Sequence, residues 1–231
     1  MKYENYIFDL YGTLVDIHTD EEDEKLWEAI ADYYTEHGAD YTAKELRQDY
    51  ASGVQEALDV SEEIQVETVF RQLYEVKGVT ASDELVLETC RFFRDTSTEY
   101  IRLYSWSLPV LDTLKAEGKD IYLLSNAQRS FTAHELDKLG LTKYFDDIMI
   151  SSDYGVKKPN LMFFKMLMKR HNLCAKECLF VGNDEVCDIF GAKKAGMNTF
   201  YMHTNCSPEY TGKHKATYIE MEPMKNGITL P

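Results

Sequence analysis

Ile7-Phe8-Asp9-Leu10-Tyr11-Gly12-Thr13-Leu14 sets one carboxylate at the end of a short apolar run and follows it with a glycine turn. Tyr6, Ile7 and Phe8 are the β-branched and aromatic types that a buried strand prefers, and Gly12 allows a turn of unusual φ. Asp9 therefore falls at the C-terminal edge of a strand, where open α/β sheets bind their ligands. A nucleophile is presented in this way, and so is a residue that merely ends a strand and caps a turn. The rest of the chain decides between the two.

From Ser107 onward, helical and strand patterns alternate, the signature of a parallel sheet built from βαβ units. Pro109 opens a helix that Gly118 closes, and Lys119–Ser125 is a buried strand; Ser130–Leu139 is a helix and Asp147–Ser151 a short strand. Pro159–His171 is a further helix, Glu177–Gly182 a strand, Glu185–Ala195 a helix, Asn198–Met202 a strand, and Tyr218–Met221 a last edge. Between Asp20 and Tyr104 no strand pattern stands out. Leu26, Ile30, Tyr33 and Tyr34 share one face of a first helix ended by Gly38; Thr42–Leu58, Ser61–Val76 and Ser82–Leu103 follow, with Thr42, Ser61 and Ser82 as N-caps. The aromatic residues of this block are expected to pack inward as its core. The fold class is thus α/β: a parallel sheet core over residues 1–15 and 105–231, with an all-helical segment inserted over 16–104.

Composition narrows the partners. The 231 residues are 44% hydrophobic and 28% charged, with a formal charge of −15. Nucleic acid wants a basic face and is not expected. No apolar run approaches the roughly 20 residues that span a bilayer, and charges stand where a secretory segment would be apolar, so a cytoplasmic protein without a membrane partner is expected. An acidic protein still binds a small anion locally, through backbone N–H groups, one lysine and a divalent cation. A small anionic metabolite and a monomer or homodimer fit this balance. The five cysteines have no C-x-x-C spacing, and His171, Cys174 and Cys178 lack a fourth ligand for zinc.

Four strand ends carry residues capable of chemistry: Asp9, then Ser125-Asn126, then Lys158-Pro159 after the short strand, then Gly182-Asn183-Asp184 with Asp188 one helical turn later. In this order they resemble the four motifs of the haloacid dehalogenase superfamily of hydrolases, over nearly the whole chain, and the resemblance implies a Rossmann-like parallel sheet core with an inserted all-helical cap domain. The resemblance implies an Asp9 nucleophile that forms a covalent aspartyl intermediate. It implies that Thr13, Ser125, Asn126 and backbone N–H groups hold an anionic group, with Lys158 offsetting charge on nucleophile and substrate. In the superfamily's phosphatases Mg²⁺ is held by the nucleophile, the backbone carbonyl two residues on and an acidic residue of the fourth motif; here these are Asp9, the carbonyl of Tyr11, and Asp184 with Asp188 in support.

Tyr11 departs from the phosphatase pattern, which has there a second aspartate acting as general acid and base, commonly worth about 10²–10⁴ in rate. Asp-x-Tyr-Gly-Thr instead resembles the 2-haloacid dehalogenase form of the motif, whose halide leaves without a proton. Those enzymes work without a metal and carry Asn and Ser where this chain has Asp184, and carboxylates facing Asp9 without a cation would repel it. The fourth motif therefore favours a Mg²⁺-dependent phosphatase with Tyr11 as a weak donor. A metal-independent dehalogenase, using Arg47 of the cap to bind a carboxylate, is the alternative, and a binding protein of the same fold the third. Tyr33, Tyr34, Arg47 and Gln48 are the cap's candidates for substrate recognition.

Overall fold

The computed structural model describes residues 1–231. Strand β1 (Asn5–Phe8) is buried at every position and leads through the Asp9–Leu14 turn into β2 (Val15–Thr19). Helices α1 (Glu24–Glu36), α2 (Ala43–Val60), α3 (Val66–Val76) and α4 (Asp83–Ser97) follow, and β3 (Thr98–Leu103) returns the chain. Then come α5 (Ser107–Ala116), β4 (Asp120–Ser125), α6 (Arg129–Lys138), β5 (Asp147–Ile150), α7 (Leu161–His171) and β6 (Cys178–Gly182). The chain ends with α8 (Gly191–Lys194), β7 (Asn198–Met202), β8 (Tyr218–Glu220) and α9 (Pro223–Asn226).

Six strands form one parallel sheet in the order β5-β4-β1-β6-β7-β8. Successive side chains point to opposite faces of a strand, so each face gathers its own core. Tyr6, Phe8, Leu123 and Val181 pack with Leu111 and Leu114 of α5 and Leu136 of α6. Ile7, Leu124 and Phe180 pack with Phe163, Phe164 and Leu167 of α7 on the other face. Burial on both faces explains the near-continuous apolar runs of β4 and β6. It also sets β1 between β4 and β6, so that the C-terminal ends of all three strands lie side by side.

The four inserted helices hold a separate apolar cluster that includes Trp27, Tyr34, Phe70, Tyr74 and Phe93, joined from α6 by Phe131. Its buried hydroxyls are satisfied locally: Tyr34 donates to the Phe70 carbonyl (3.0 Å) and Tyr41 to that of Leu73 (2.8 Å). Thr42 caps α2 by accepting from the Glu45 N–H, while the Glu45 carboxylate accepts from the Thr42 N–H. Thr42→Ala keeps the backbone N–H but removes the hydroxyl that accepts from the Glu45 N–H and donates to its carboxylate, and should cost about 1 kcal/mol in chemical denaturation. No helix is long and apolar enough to cross a membrane.

Three sequence expectations change. The helix predicted over Ser82–Leu103 ends at Ser97, and Thr98–Leu103 pairs antiparallel with Val15–Thr19. Two short strands far apart in sequence thus connect the helical block to the sheet, where Ile17, Ile101 and Leu103 pack against the core; a local period cannot reveal a partner so distant. Ser61 does not open a helix. It ends α2, and α3 begins at Val66, because Glu63 is drawn to the sheet side, where its carboxylate accepts from Ser151 (2.7 Å) and Gln128 (3.2 Å). The helix expected over Glu185–Ala195 starts instead as a wide π-type turn, Glu185–Phe190, in which Ile189 N–H donates to the Asp184 carbonyl five residues back.

Candidate active site

Asp9 follows β1 directly and stays almost wholly buried. Its Oδ1 accepts from Lys158 Nζ at 2.7 Å, and its Oδ2 lies 3.3 Å from Thr13 Oγ1, which also reaches Asn183 Oδ1 at 3.2 Å. Lys158 arrives from the loop after β5, held there by Asn126: Asn126 Nδ2 donates to the Lys158 carbonyl (2.9 Å), and the Lys158 N–H donates to Asn126 Oδ1 (2.8 Å). The Asn126 amide thus positions the lysine, and with one N–H still uncommitted it also borders the cavity around Asp9.

Lys158 Nζ also donates to Asp188 Oδ1 at 2.7 Å, and Asp188 Oδ2 accepts from the backbone N–H groups of Asn183 (3.0 Å) and Asp184 (2.9 Å). The π-type turn brings Asp188 back over the strand end. Gly182 permits this approach, since a Cβ there would stand 2.3 Å from Asp188 Oδ2. Gly12 has φ +80, and a Cβ there would strike Asn183. Burial alone would lower the Lys158 pKa, but Asp188 and Asp9 together carry it above its usual value, so the ammonium is charged. Burial raises the Asp188 carboxyl above the ordinary carboxylate range against the pull of Lys158.

A cavity of about 190 Å³ is bordered by Asp9, Tyr11, Asn126, Lys158, Asp184 and Asp188, with Cys187, Cys206 and Pro208 along its wall. The structure therefore gathers these sequence candidates at one edge of the sheet. Asp184 spends one oxygen as the cap of the π-type turn, accepting from Val186 and Cys187 N–H (both 2.7 Å), and leaves the other. Asp188, expected as a supporting metal ligand, here accepts from Lys158 through Oδ1 and from two backbone N–H groups through Oδ2, which makes it a residue that holds the lysine. No group of three or more His, Cys, Asp or Glu side chains is set to hold a metal. The remaining donors, Asp9, Asp184 and the Tyr11 carbonyl, are hard oxygens and number two carboxylates. That set suits Mg²⁺ when phosphate and water complete its shell. Ser125, at the end of the neighbouring β4, has a buried Oγ with no hydrogen-bond partner.

The Tyr11 side chain turns toward the helical block. Its hydroxyl lies 3.0 Å from Thr132 Oγ1 and donates to Glu135, while Arg94 of α4 pairs with Glu135 (2.6 Å) and lies over the Tyr11 ring. Burial first, and the Glu135 carboxylate second, push the phenol well above its usual pKa. This Arg94–Glu135–Tyr11–Thr132 group escapes the sequence, because a lone Glu or Arg on an amphipathic helix reads as solvated surface. Of the cap candidates none borders the Asp9 cavity. Tyr34 is core, Tyr33 stacks on Phe92, and Arg47 and Gln48 line a separate groove between α1 and α2, where Arg47 pairs with Glu22.

Residues 3–196 match the family described as haloacid dehalogenase-like hydrolase. Glyceraldehyde 3-phosphate phosphatase of Methanocaldococcus jannaschii is 33% identical over 107 residues, 46% of this chain and 47% of that protein. Phosphoglycolate phosphatase of Vibrio parahaemolyticus is 32% identical over 109 residues, 47% of each. The chain thus spans about half the length of these curated relatives. In three dimensions a 2-haloacid dehalogenase from Pseudomonas syringae superposes with TM-score 0.68 at 19% identity, covering 94% of each chain, which is a likeness of fold.

Proposed function

Because the chain belongs to the haloacid dehalogenase-like hydrolases, we propose that it is a Mg²⁺-dependent phosphatase in which Asp9 attacks the phosphorus of a small phosphorylated metabolite. The observation that carries this is Ser125, whose buried, unpartnered Oγ beside the Asp9 strand leaves a donor for an anion's oxygen. The phosphatase names among the relatives support the same class. The charge of −15 supports a small substrate over nucleic acid, and a cytoplasmic monomer or homodimer without a membrane partner is part of this proposal.

Asp9 forms a bond to phosphorus as the bond to the leaving oxygen breaks, and water then attacks phosphorus to release phosphate and free Asp9. Lys158 and Thr13 hold the Asp9 carboxylate in line, and with Ser125 they offset charge on the transferring group. Mg²⁺ on Asp9, Asp184 and the Tyr11 carbonyl would supply further neutralisation of that charge. Tyr11, held by Glu135 and Thr132 with a raised pKa, gives the leaving oxygen no proton. Acyl and aryl phosphates, which leave without one, are therefore the favoured substrates. Tyr11→Asp should raise activity on alkyl phosphates relative to p-nitrophenyl phosphate by at least about tenfold, in Mg²⁺ and not in chelator. An unchanged ratio contradicts the assignment.

The same Tyr11 geometry favours a second activity, release of halide from a 2-halo acid, since a halide needs no acid. Arg47, remote from the cavity, lends this no support. Chloride release from 2-chloropropionate in chelator would establish it, and silence there would end it.

A further inference from the structure

Away from the Asp9 cavity the surface carries a concentration of positive charge at odds with the rest of the molecule. A cavity of about 490 Å³ is bordered by Lys193, Lys194, Lys213, His214, Lys215 and Phe190. An adjoining cavity shares Lys194 and Phe190, adds Lys157, and reaches Lys158 of the Asp9 site, which the first cavity does not. The chain as a whole carries −15. The lysines that form ion pairs with carboxylates are Lys115, Lys119, Lys158 and Lys225; the four around this cavity form none. Like charges crowded without counter-ions repel, and the arrangement is favourable when an anion sits among them.

The backbone under these lysines is fixed. Glu185, buried in the π-type turn, accepts from the Thr211 N–H (2.7 Å), the Thr211 hydroxyl (2.8 Å) and the His214 N–H (2.6 Å), which ties the Thr211–Lys215 loop against the start of α8. Lys193 Nζ donates to the Lys215 carbonyl at 2.5 Å, closing the loop on the helix. The Phe190 ring lies between His214, at 4.5 Å between centroids, and Lys194 Nζ, 4.9 Å from its centroid. Among the facing carboxylates, Glu185 has both oxygens turned inward onto the loop backbone, and Glu62 borders the adjoining cavity. The ammonium groups are thus presented from two elements held in register.

We propose that this cavity is a second anion site, separate from the Asp9 pocket, that takes a small compact anion carrying two or more phosphate groups. Its volume lies in the usual range of ligand pockets, about 300–1,000 Å³. Four ammonium groups exceed what one phosphate engages, whereas a short polyphosphate chain reaches several of them at once. The lysines of this cavity come from α8 and one loop, with Lys157 beside them, and the chain as a whole carries −15, which disfavours a long polyanion.

The test is calorimetric titration of the full chain with sodium tripolyphosphate, in chelator at about 0.1 M salt, where screening spares only close contacts. Wild type should bind. Lys213→Glu/Lys215→Glu and, independently, Lys194→Glu should each weaken binding about tenfold or more, because each replaces attraction with repulsion at an exposed position. Hydrolysis of p-nitrophenyl phosphate without tripolyphosphate should be unchanged in both variants, which reports that they fold. No heat with wild type at millimolar tripolyphosphate overturns the proposal. Equal affinity in wild type and variants places the anion in the Asp9 pocket and overturns it, as does tighter binding of a DNA oligonucleotide than of tripolyphosphate.

Discussion

Asp9→Asn should lower p-nitrophenyl phosphate hydrolysis by about 10⁴-fold or more, the scale on which covalent catalysis collapses when its nucleophile is lost. Asparagine keeps the shape and an oxygen that accepts from Lys158, so the effect is chemical rather than structural. Electrostatics argue that the variant is no less stable than the parent. Asp9, Asp184 and Asp188 border one cavity with a single ammonium, Lys158, among them. Removing one negative charge eases that crowding, and the urea midpoint should stay the same or rise. Activity within tenfold of wild type would show that Asp9 is not the nucleophile.

Lys158→Met should do the reverse and strike stability as hard as activity. Lys158 donates at 2.7 Å to Asp9 and at 2.7 Å to Asp188, and the exposure of its side chain is 2%. Deleting it leaves two buried carboxylates facing each other with no counter-charge, a change that costs about 3–5 kcal/mol in comparable buried pairs. The loss is read as a lower urea midpoint at an unchanged slope. Asn126 would keep the loop in place, since it binds the backbone of residue 158 and not its side chain. A variant as stable as wild type would mean that the triad of charges is not buried as described.

The strand ends were legible in the sequence because their signals are local: Phe8-Asp9, Leu124-Ser125 and Val181-Gly182 each combine a buried apolar run with an abrupt polar stop. Parallel order then places them together, and Asp9, Lys158 and Asp184 do border one cavity. What escaped depends on partners distant in sequence. Thr98–Leu103 reads as the tail of a helix until Val15–Thr19 pairs with it. Asp188 has ligand spacing, but a wide turn aims both its oxygens at Lys158 and two backbone N–H groups. Tyr11 was readable as the missing acid; that Glu135 and Arg94 hold its hydroxyl against the helical block was not, because neither residue has a local mark distinguishing it from surface charge.

In the proposed reaction the Tyr11 arrangement also decides which step is expected to be slow. Without a carboxylate to activate water, breakdown of the aspartyl intermediate should lag behind its formation. The most direct measurement is therefore rapid mixing of enzyme, Mg²⁺ and p-nitrophenyl phosphate, with acid quench and mass spectrometry of the Asp9 peptide. The expected result is a burst of p-nitrophenol approaching one per chain and a phosphoryl group on Asp9. Linear release from the first turnover with an unmodified Asp9 peptide, or a phosphoryl group on another residue, would contradict it.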